Sequence, residues 1–408
     1  MWRAKGKNNV IQLSFKYRVY PTREVEEKLL KVMQIEAKVY NALLDAVNNA
    51  RKEGRKITPK DTQAMLKELK IDGKELVYSK ALQMVNNQLW YNINSLHELK
   101  KKGKKVGKLR HKKILRVINY NQSGFKVEGD KLILSKIGEM KVLFHRPLEG
   151  KIKGVIIRKS VTGWYAIFQV EVEKKPREKT GKVVGIDLGV DKLVTTSDGV
   201  VVENPKFFDK VERGIRVLQR GLSRKKRGSR NYEKVRKKLA KLYEHVKNLM
   251  SDYIHKVTSW LVEQYDEIYV EDLDVKEMVG GSESKTLRKH ILYSNFSEFM
   301  SYLSYKAERA GRRVVKVNPA YTSKKCARCG YVKKDLSLRD RVFVCPKCGW
   351  VTDRDYNACL NIFRAGSGLP LGPVDRGPLL YIPFSEGVYS KFPGRSRKSS
   401  PRGGDVPS

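Results

Sequence analysis

Three acids and four thiols are the residues in this 408-residue sequence whose types and positions invite chemistry. Asp187 interrupts the apolar run Val183-Val184-Gly185-Ile186, and Glu271 closes the run Ile268-Tyr269-Val270. Asp355 opens a stretch of helical spacing after Asp353-Arg354. Hard carboxylate oxygens suit Mg²⁺ or Mn²⁺, and two such ions about 3.5–4 Å apart clamp the attacking water and the leaving oxygen of a phosphodiester. Singly, each acid has an ordinary reading: Asp187 as a turn acid, Glu271 as a surface strand end, Asp355 as a charge at a helix N-terminus. Their joint placement decides between the readings, and it depends on the elements that carry them.

The thiols stand as Cys326-Ala327-Arg328-Cys329-Gly330 and Cys345-Pro346-Lys347-Cys348-Gly349. Two Cys-x-x-Cys pairs at this separation have the spacing of a Cys₄ zinc ribbon, and the glycine after each pair lets the backbone turn so that amides face the sulfurs. Four thiolates leave zinc no open position, so the site is structural. A redox centre would need one pair. Cys359 reads as a small core residue.

The elements follow from periodicity. Residues 11–19 alternate strictly, with Ile11, Leu13, Phe15, Tyr17 and Val19 on one face, and predict a half-buried strand ended by Pro21. Helical spacing follows over 24–51, 59–70 and 74–101, then a Lys/Arg-rich block (100–113) that reads as a flexible basic linker. Six short strands over 114–173 predict a small antiparallel barrel that the first strand joins. After a charged linker come a strand carrying Asp187, a hairpin across Asp198-Gly199, helices over 209–223 and 231–265, the strand ending in Glu271, a helix (296–310), a strand (313–317), the thiols and the helix opened by Asp355. Three strands, helix, strand, helix, strand, helix is the order of an RNase H-like (RuvC) fold. In such folds acids sit on the first strand, at the end of the fourth and on a late helix, where Asp187, Glu271 and Asp355 fall.

Composition narrows the partner. Lys plus Arg number 85 against 44 Asp plus Glu, a formal charge of +41 spread along the whole chain. Such self-repulsion calls for a polyanion. No stretch approaches the roughly 18 apolar residues of a membrane span, and no apolar run follows the basic N-terminus as in a secretory signal. The protein is expected in the cytoplasm, near nucleic acid. The densest basic runs are 100–113 and 222–230, and Tyr17, Tyr20, Trp90, Tyr91, Tyr120 and Trp164 are candidates to stack on bases, although aromatics at such positions more often fill cores.

A resemblance rests on several motifs in series: Phe15-Lys16-Tyr17-Arg18-Val19-Tyr20-Pro21-Thr22, Gly185-Ile186-Asp187-Leu188-Gly189, Leu222-Ser223-Arg224-Lys225-Lys226, Val270-Glu271-Asp272-Leu273, Asn318-Pro319-Ala320-Tyr321-Thr322-Ser323, the four cysteines, and Asp353-Arg354-Asp355-Tyr356-Asn357-Ala358. Over residues 10–366 the chain resembles TnpB, the insertion-sequence family related to type V CRISPR nucleases. Two segments depart from the family pattern, Gly107-Lys108-Leu109-Arg110-His111-Lys112 and Cys359, and neither touches the acids. The resemblance implies an RNA-guided DNA endonuclease of a prokaryotic transposon, associated with the nucleoid. Its guide RNA comes from the transposon end, and its target is double-stranded DNA beside a short recognition motif. Asp187, Glu271 and Asp355 match the catalytic, Mg²⁺-holding acids, Cys326, Cys329, Cys345 and Cys348 the zinc ligands, and Asn357 a support for Asp355.

Pattern and resemblance together predict a multi-domain chain of α/β and β parts: an RNase H-like (RuvC) nuclease domain with an inserted Cys₄ zinc ribbon, plus an N-terminal antiparallel β-barrel (wedge) with an inserted helical recognition domain. The expected bounds are 1–22 for the first barrel strand, 23–104 for the helical domain, 105–175 for the rest of the barrel, 181–320 for the nuclease domain, 321–351 for the ribbon, 352–366 for the last nuclease helix and 367–408 for a disordered tail. Two other readings stay open: a guided DNA-binding repressor, which would have lost one or more acids, and a RuvC-like resolvase or transposase working without RNA.

Overall fold

The structure, a computed structural model, describes residues 9–281, 284–337, 340–369 and 379–382. The chain forms two compact units, Met1–Glu173 and Lys174–Ser408.

In the first unit, strand β1 (Val10–Tyr20) runs into Pro21 and Thr22, whose hydroxyl accepts from the Val25 amide and starts helix α1 (Arg23–Lys52). Helix α2 (Pro59–Glu68) begins at a Thr58–Asp61 capping box with Pro59 in its first turn. The helix expected over 74–101 starts late. Gly73 is left-handed (φ +79°), Lys74–Leu76 form a single 3₁₀ turn, Val77 and Tyr78 are extended, and α3 spans Ser79–Lys101. Strands β2 (Val117–Asn121), β3 (Phe125–Glu128), β4 (Lys131–Leu134), β5 (Gly138–Leu143), β6 (Lys151–Lys159) and β7 (Trp164–Glu173) join β1 in one antiparallel sheet, ordered β2-β6-β7-β1-β5-β4-β3.

The edge strands β2 and β3 are linked only by the turn Gln122–Gly124. Three residues reach about 10 Å at most, whereas seven flat strands would set the edges about 29 Å apart. The sheet therefore curls into a near-closed barrel around Tyr17, Ile118, Leu132, Val155 and Phe168. The expected flexible linker is pinned at its end: Asn41 exchanges hydrogen bonds of 2.9 and 2.8 Å with the Lys112 backbone, and His111 meets Asp45 at 2.7 Å.

In the second unit, β8 (Val183–Asp187), β9 (Lys192–Thr196) and β10 (Val200–Glu203) form an antiparallel meander whose β9–β10 turn is Asp198-Gly199, with Gly199 at φ +88°. Strands β11 (Glu267–Glu271) and β12 (Arg313–Val317) extend the sheet in parallel beyond β8. Helices α4 (Phe207–Ser223) and α5 (Arg230–Gln264) lie between β10 and β11 in the chain, and α6 (Val275–Gly281), α7 (Lys285–Ser294) and α8 (Phe296–Ala310) between β11 and β12. The sequence reading did not anticipate α6 and α7, two short helices whose partly buried apolar residues lean on the core of longer neighbours. That core joins Val184, Ile186, Ile268 and Val270 of the sheet to Ile254, Val257, Leu261, Phe299 and Leu303 of α5 and α8. Strands β13 (Val342–Val344) and β14 (Val351–Asp353) form a separate ribbon before α9 (Arg354–Ser367).

One expectation is corrected here. Within the supposedly disordered tail, β15 (Leu380–Ile382) pairs in parallel with β10, Val200 opposite Leu380 and Val202 opposite Ile382. The open edge of β10 offers unpaired backbone groups, and an apolar triplet with strand propensity satisfies them. Residues 370–378 and 383–408 lie outside the described residues.

Candidate functional site

The acids meet because of strand register and a missing side chain. Ile186 of β8 pairs with Val270 of β11, so Asp187 and Glu271 leave the same ends of adjacent parallel strands. Helix α9 packs directly on β8: a Cβ on Gly185 would lie 2.5 Å from the Cys359 carbonyl and 2.6 Å from the Phe363 amide. Only glycine allows that approach, and the approach brings the first turn of α9 to Asp187. Asp353 caps this turn by accepting from the Asp355 amide at 2.9 Å and the Tyr356 amide at 3.1 Å.

The electrostatics register the meeting. Burial holds the Asp187 carboxyl well above the usual carboxylate range, and the charges of Glu271 and Asp355 push it the same way. Burial also raises Glu271, against the hydroxyl of Thr322, which donates to its Oε1, and the charge of Arg354. Asp355 is held by Lys192, whose Nζ stands 3.4 Å from its Oδ2 and 2.5 Å from Asp353 Oδ2. Arg354 spans the acid site and the ribbon: its charge acts on Asp187 and Glu271, while Nη1 donates to the Ser337 carbonyl at 3.1 Å. Thr322, Lys192, Asp353 and Arg354 escaped the sequence reading as supports, because each reaches its acid through the fold or through an unremarkable neighbouring position.

Asn357 takes a different post from the one expected. It does not hold Asp355; its Oδ1 accepts from the Ala327 amide at 2.9 Å and its Nδ2 donates to the Lys325 carbonyl at 2.9 Å. Asn361, one turn on, donates to the carbonyls of Thr322 (2.9 Å) and Lys325 (2.6 Å). Both side chains are buried. Helix α9 thus bears Asp355, fixes the loop that holds Glu271 and anchors the base of the ribbon.

The four cysteine sulfurs all lie within 4.8 Å of one another, the one group of His, Cys, Asp or Glu among the described residues to gather so closely. Cys326 and Cys348 are 3.8 Å apart and Cys329 and Cys345 3.5 Å, too far for disulfides. Zinc–sulfur bonds of about 2.3 Å set tetrahedral sulfurs about 3.8 Å apart, so the set fits that ion. The neighbouring thiols are pushed apart in acidity: burial raises Cys326 to about 12, while, against its own burial, Cys345 is brought down to about 7 by the amides of Cys348 and Lys347. Cys359 is buried and donates to the Thr195 carbonyl at 2.9 Å, away from this group.

The basic run after α4 is exposed over 224–228, and 100–105 is likewise largely exposed. Of the aromatics proposed to stack, Tyr17, Tyr120 and Trp164 are core residues, Trp90 is half-buried, and Tyr20 and Tyr91 are exposed. No helix among the described residues is long and apolar enough to cross a membrane.

With this geometry in place, comparison with known proteins defines first a class. Residues 167–281 match a family described as a probable transposase, residues 296–362 a Cas12f1-like TNB domain, and residues 9–56 a helix-turn-helix domain, although here that last span holds a strand and one unbroken helix. A candidate RNA-guided DNA endonuclease of Streptomyces pristinaespiralis is 31% identical over 365 residues, 87% of this chain and 90% of its own. The candidate RNA-guided DNA endonuclease InsQ of Escherichia coli (strain K12) is 34% identical over 59% of this chain, and the match spans 63% of InsQ. The TnpB-like protein L770 of Acanthamoeba polyphaga mimivirus is 25% identical over 86% of this chain and 73% of its own. The chain belongs to the TnpB family. Its fold is shared with the solved Cas12f1–sgRNA–target DNA complex, at a TM-score of 0.55 and 15% identity over 87% of this chain and 99% of that one.

Proposed function

We propose that this chain is a transposon-encoded, RNA-guided DNA endonuclease that hydrolyses phosphodiesters in a RuvC-like site built from Asp187, Glu271 and Asp355. The observation that carries the reading is the convergence of three acids from β8, β11 and α9, registered in the raised Asp187 carboxyl. The strand order β12-β11-β8-β9-β10, with only β8–β9 and β9–β10 antiparallel among these neighbours, supports the RNase H-like assignment of the second unit. The names of the relatives join RNA guidance to DNA cleavage and support an RNA and a DNA partner; a guide RNA from the transposon end and a double-stranded target are the finer part of the proposal.

The donor set is all carboxylate and suits Mg²⁺ or Mn²⁺. When bound, such ions supply Lewis-acid stabilisation and lower the pKa of a coordinated water. The chain's own residues do the positioning. Thr322 fixes one oxygen of Glu271, Lys192 and the Asp353 cap fix Asp355, and Arg354 offsets part of the charge that the three acids concentrate. The four thiols would hold structural Zn²⁺, which would supply a rigid cross-link beside the loop that Asn357 and Asn361 tie to α9. The retention of all three acids speaks against a repressor without chemistry.

The experiment is to sequence the RNA that co-purifies when the gene is expressed with its flanking DNA. One discrete RNA ending in a variable segment is expected. Heterogeneous RNA released by salt would leave a RuvC-like resolvase or transposase acting without a guide as the better reading.

A further inference from the structure

Tyr321 is strained, exposed and next in the chain to Thr322, whose hydroxyl donates to Glu271. Its backbone is left-handed (φ +64°), a region that glycine favours and a bulky aromatic residue rarely enters. The surroundings over-determine that conformation. The Tyr321 carbonyl accepts from the amides of Lys324 (3.0 Å) and Lys325 (2.9 Å), and Asn318 Oδ1 accepts from the Ala320 amide at 2.9 Å. On the other side, the Thr322 carbonyl is held by Asn361 and its hydroxyl donates to Glu271. All these bonds use backbone or neighbouring side chains, so glycine at 321 would keep every one and relieve the strain.

The ring gives the fold nothing in return. It is 65% exposed and makes no hydrogen bond, ion pair or ring contact among the described residues. Strain of this kind collects at functional sites, where it fixes a group before its ligand arrives. The group here is a flat apolar face with two lysines, Lys324 and Lys325, three and four residues on, the second of them exposed. An aromatic face followed within a few residues by amines is the chemistry of single-stranded nucleic acid: a base stacks on the ring and phosphates meet the amines, without regard to sequence. A ring presented by a fixed backbone loses little freedom on binding.

We propose that Tyr321 is a stacking platform that seats a base of the DNA strand beside the acid site. It is a positioning residue, one chain step from the threonine that orients Glu271. The inference rests on the nuclease reading for its purpose, but its test does not need cleavage.

The test measures binding of a fluorescent oligothymidylate of about 20 nucleotides to the full chain, without added divalent metal, over a salt series reaching about 0.5 M to suppress purely ionic sites. Tyr321→Ala is expected to weaken binding on the order of tenfold or more at every salt concentration, with the slope of log affinity against log salt unchanged. Tyr321→Phe and Tyr321→Trp are expected to bind as wild type. Tyr321→Gly is expected to bind as weakly as the alanine variant yet melt higher by about 2–4 °C, which separates lost stacking from lost folding. An oligonucleotide carrying 5-iododeoxyuridine is expected to photocrosslink to Tyr321. Wild-type affinity in Tyr321→Ala, a loss in Tyr321→Phe equal to that in Tyr321→Ala, or a changed salt slope would each overturn the proposal. Failure of the nuclease reading shows elsewhere, as DNA cutting by Asp187→Ala, and leaves these binding results standing.

Discussion

The thiol site and the acid site are neighbours on one loop-and-helix system, yet they are built on opposite plans. The thiols come from two short knuckles, 326–329 and 345–348, each turning on its own glycine and furnishing its own amides. The acids come from β8, β11 and α9; the sheet register brings residues 187 and 271 together, and the bare Cα of Gly185 lets α9 bring residue 355 to them. A local site is written where it acts. A dispersed one is written in its supports, and here the two share a support: Asn357 and Asn361 bind the base of the ribbon and the loop that carries Thr322.

If the plans differ in this way, their metals should exchange differently, and this is the largest expected effect. Replacing Mg²⁺ or Mn²⁺ by Ca²⁺ is expected to lower DNA cutting on the order of a thousandfold, with zinc content by atomic absorption unchanged. Cutting that needs no divalent ion at the acids would break the comparison at once. Next in size, Cys326→Ser is expected to release zinc and, by loosening 322–327, to lower cutting roughly 10- to 100-fold, the usual cost of losing an outer support. Unchanged activity in zinc-free protein would show that the shared support carries nothing between the sites.

The gathering of the four thiols was legible in the sequence, and that of the three acids only in part. Asp187, Glu271 and Asp355 stood out because acids interrupt apolar strands or open a helix, and Asp198-Gly199 announced its hairpin. Thr322 did not stand out, since a threonine in a loop says nothing of a partner on β11. Lys192 was one lysine among many in a chain of +41. The late start of α3 follows from Gly73 and the extended Val77 and Tyr78, and β15 from an open sheet edge, which no local pattern records.

Smaller effects sharpen the comparison within the acid site. Thr322→Val removes the hydroxyl that lowers Glu271, so its carboxyl should rise further. The acid limb of the cleavage pH profile is expected to move up by about one pH unit, taking a hydrogen bond to a charged group as about 1.5–3 kcal/mol. An unmoved limb would mean that Glu271 does not set it. The smallest effect is on stability without divalent metal. Asp187 has a folded pKa above its unfolded value, so between the two the folded state binds more protons, and stability falls as pH rises through that window. Asp187→Asn removes this cost. Its melting temperature is expected to exceed wild type at neutral pH by a few degrees. The gain should shrink as pH falls through the folded pKa and vanish only below about 3, where the carboxyl is protonated in both states. A gain independent of pH would assign the effect to something other than the crowded charge.

The most direct test of the central claim compares wild type and Asp187→Ala, each purified with its co-expressed RNA, for cutting and for binding of a plasmid matched to that RNA. If Asp187, Glu271 and Asp355 form the nuclease centre, the variant binds the plasmid within about twofold of wild type and cuts it on the order of a thousandfold more slowly. Full cutting by Asp187→Ala would contradict the account and place the chemistry elsewhere in the chain.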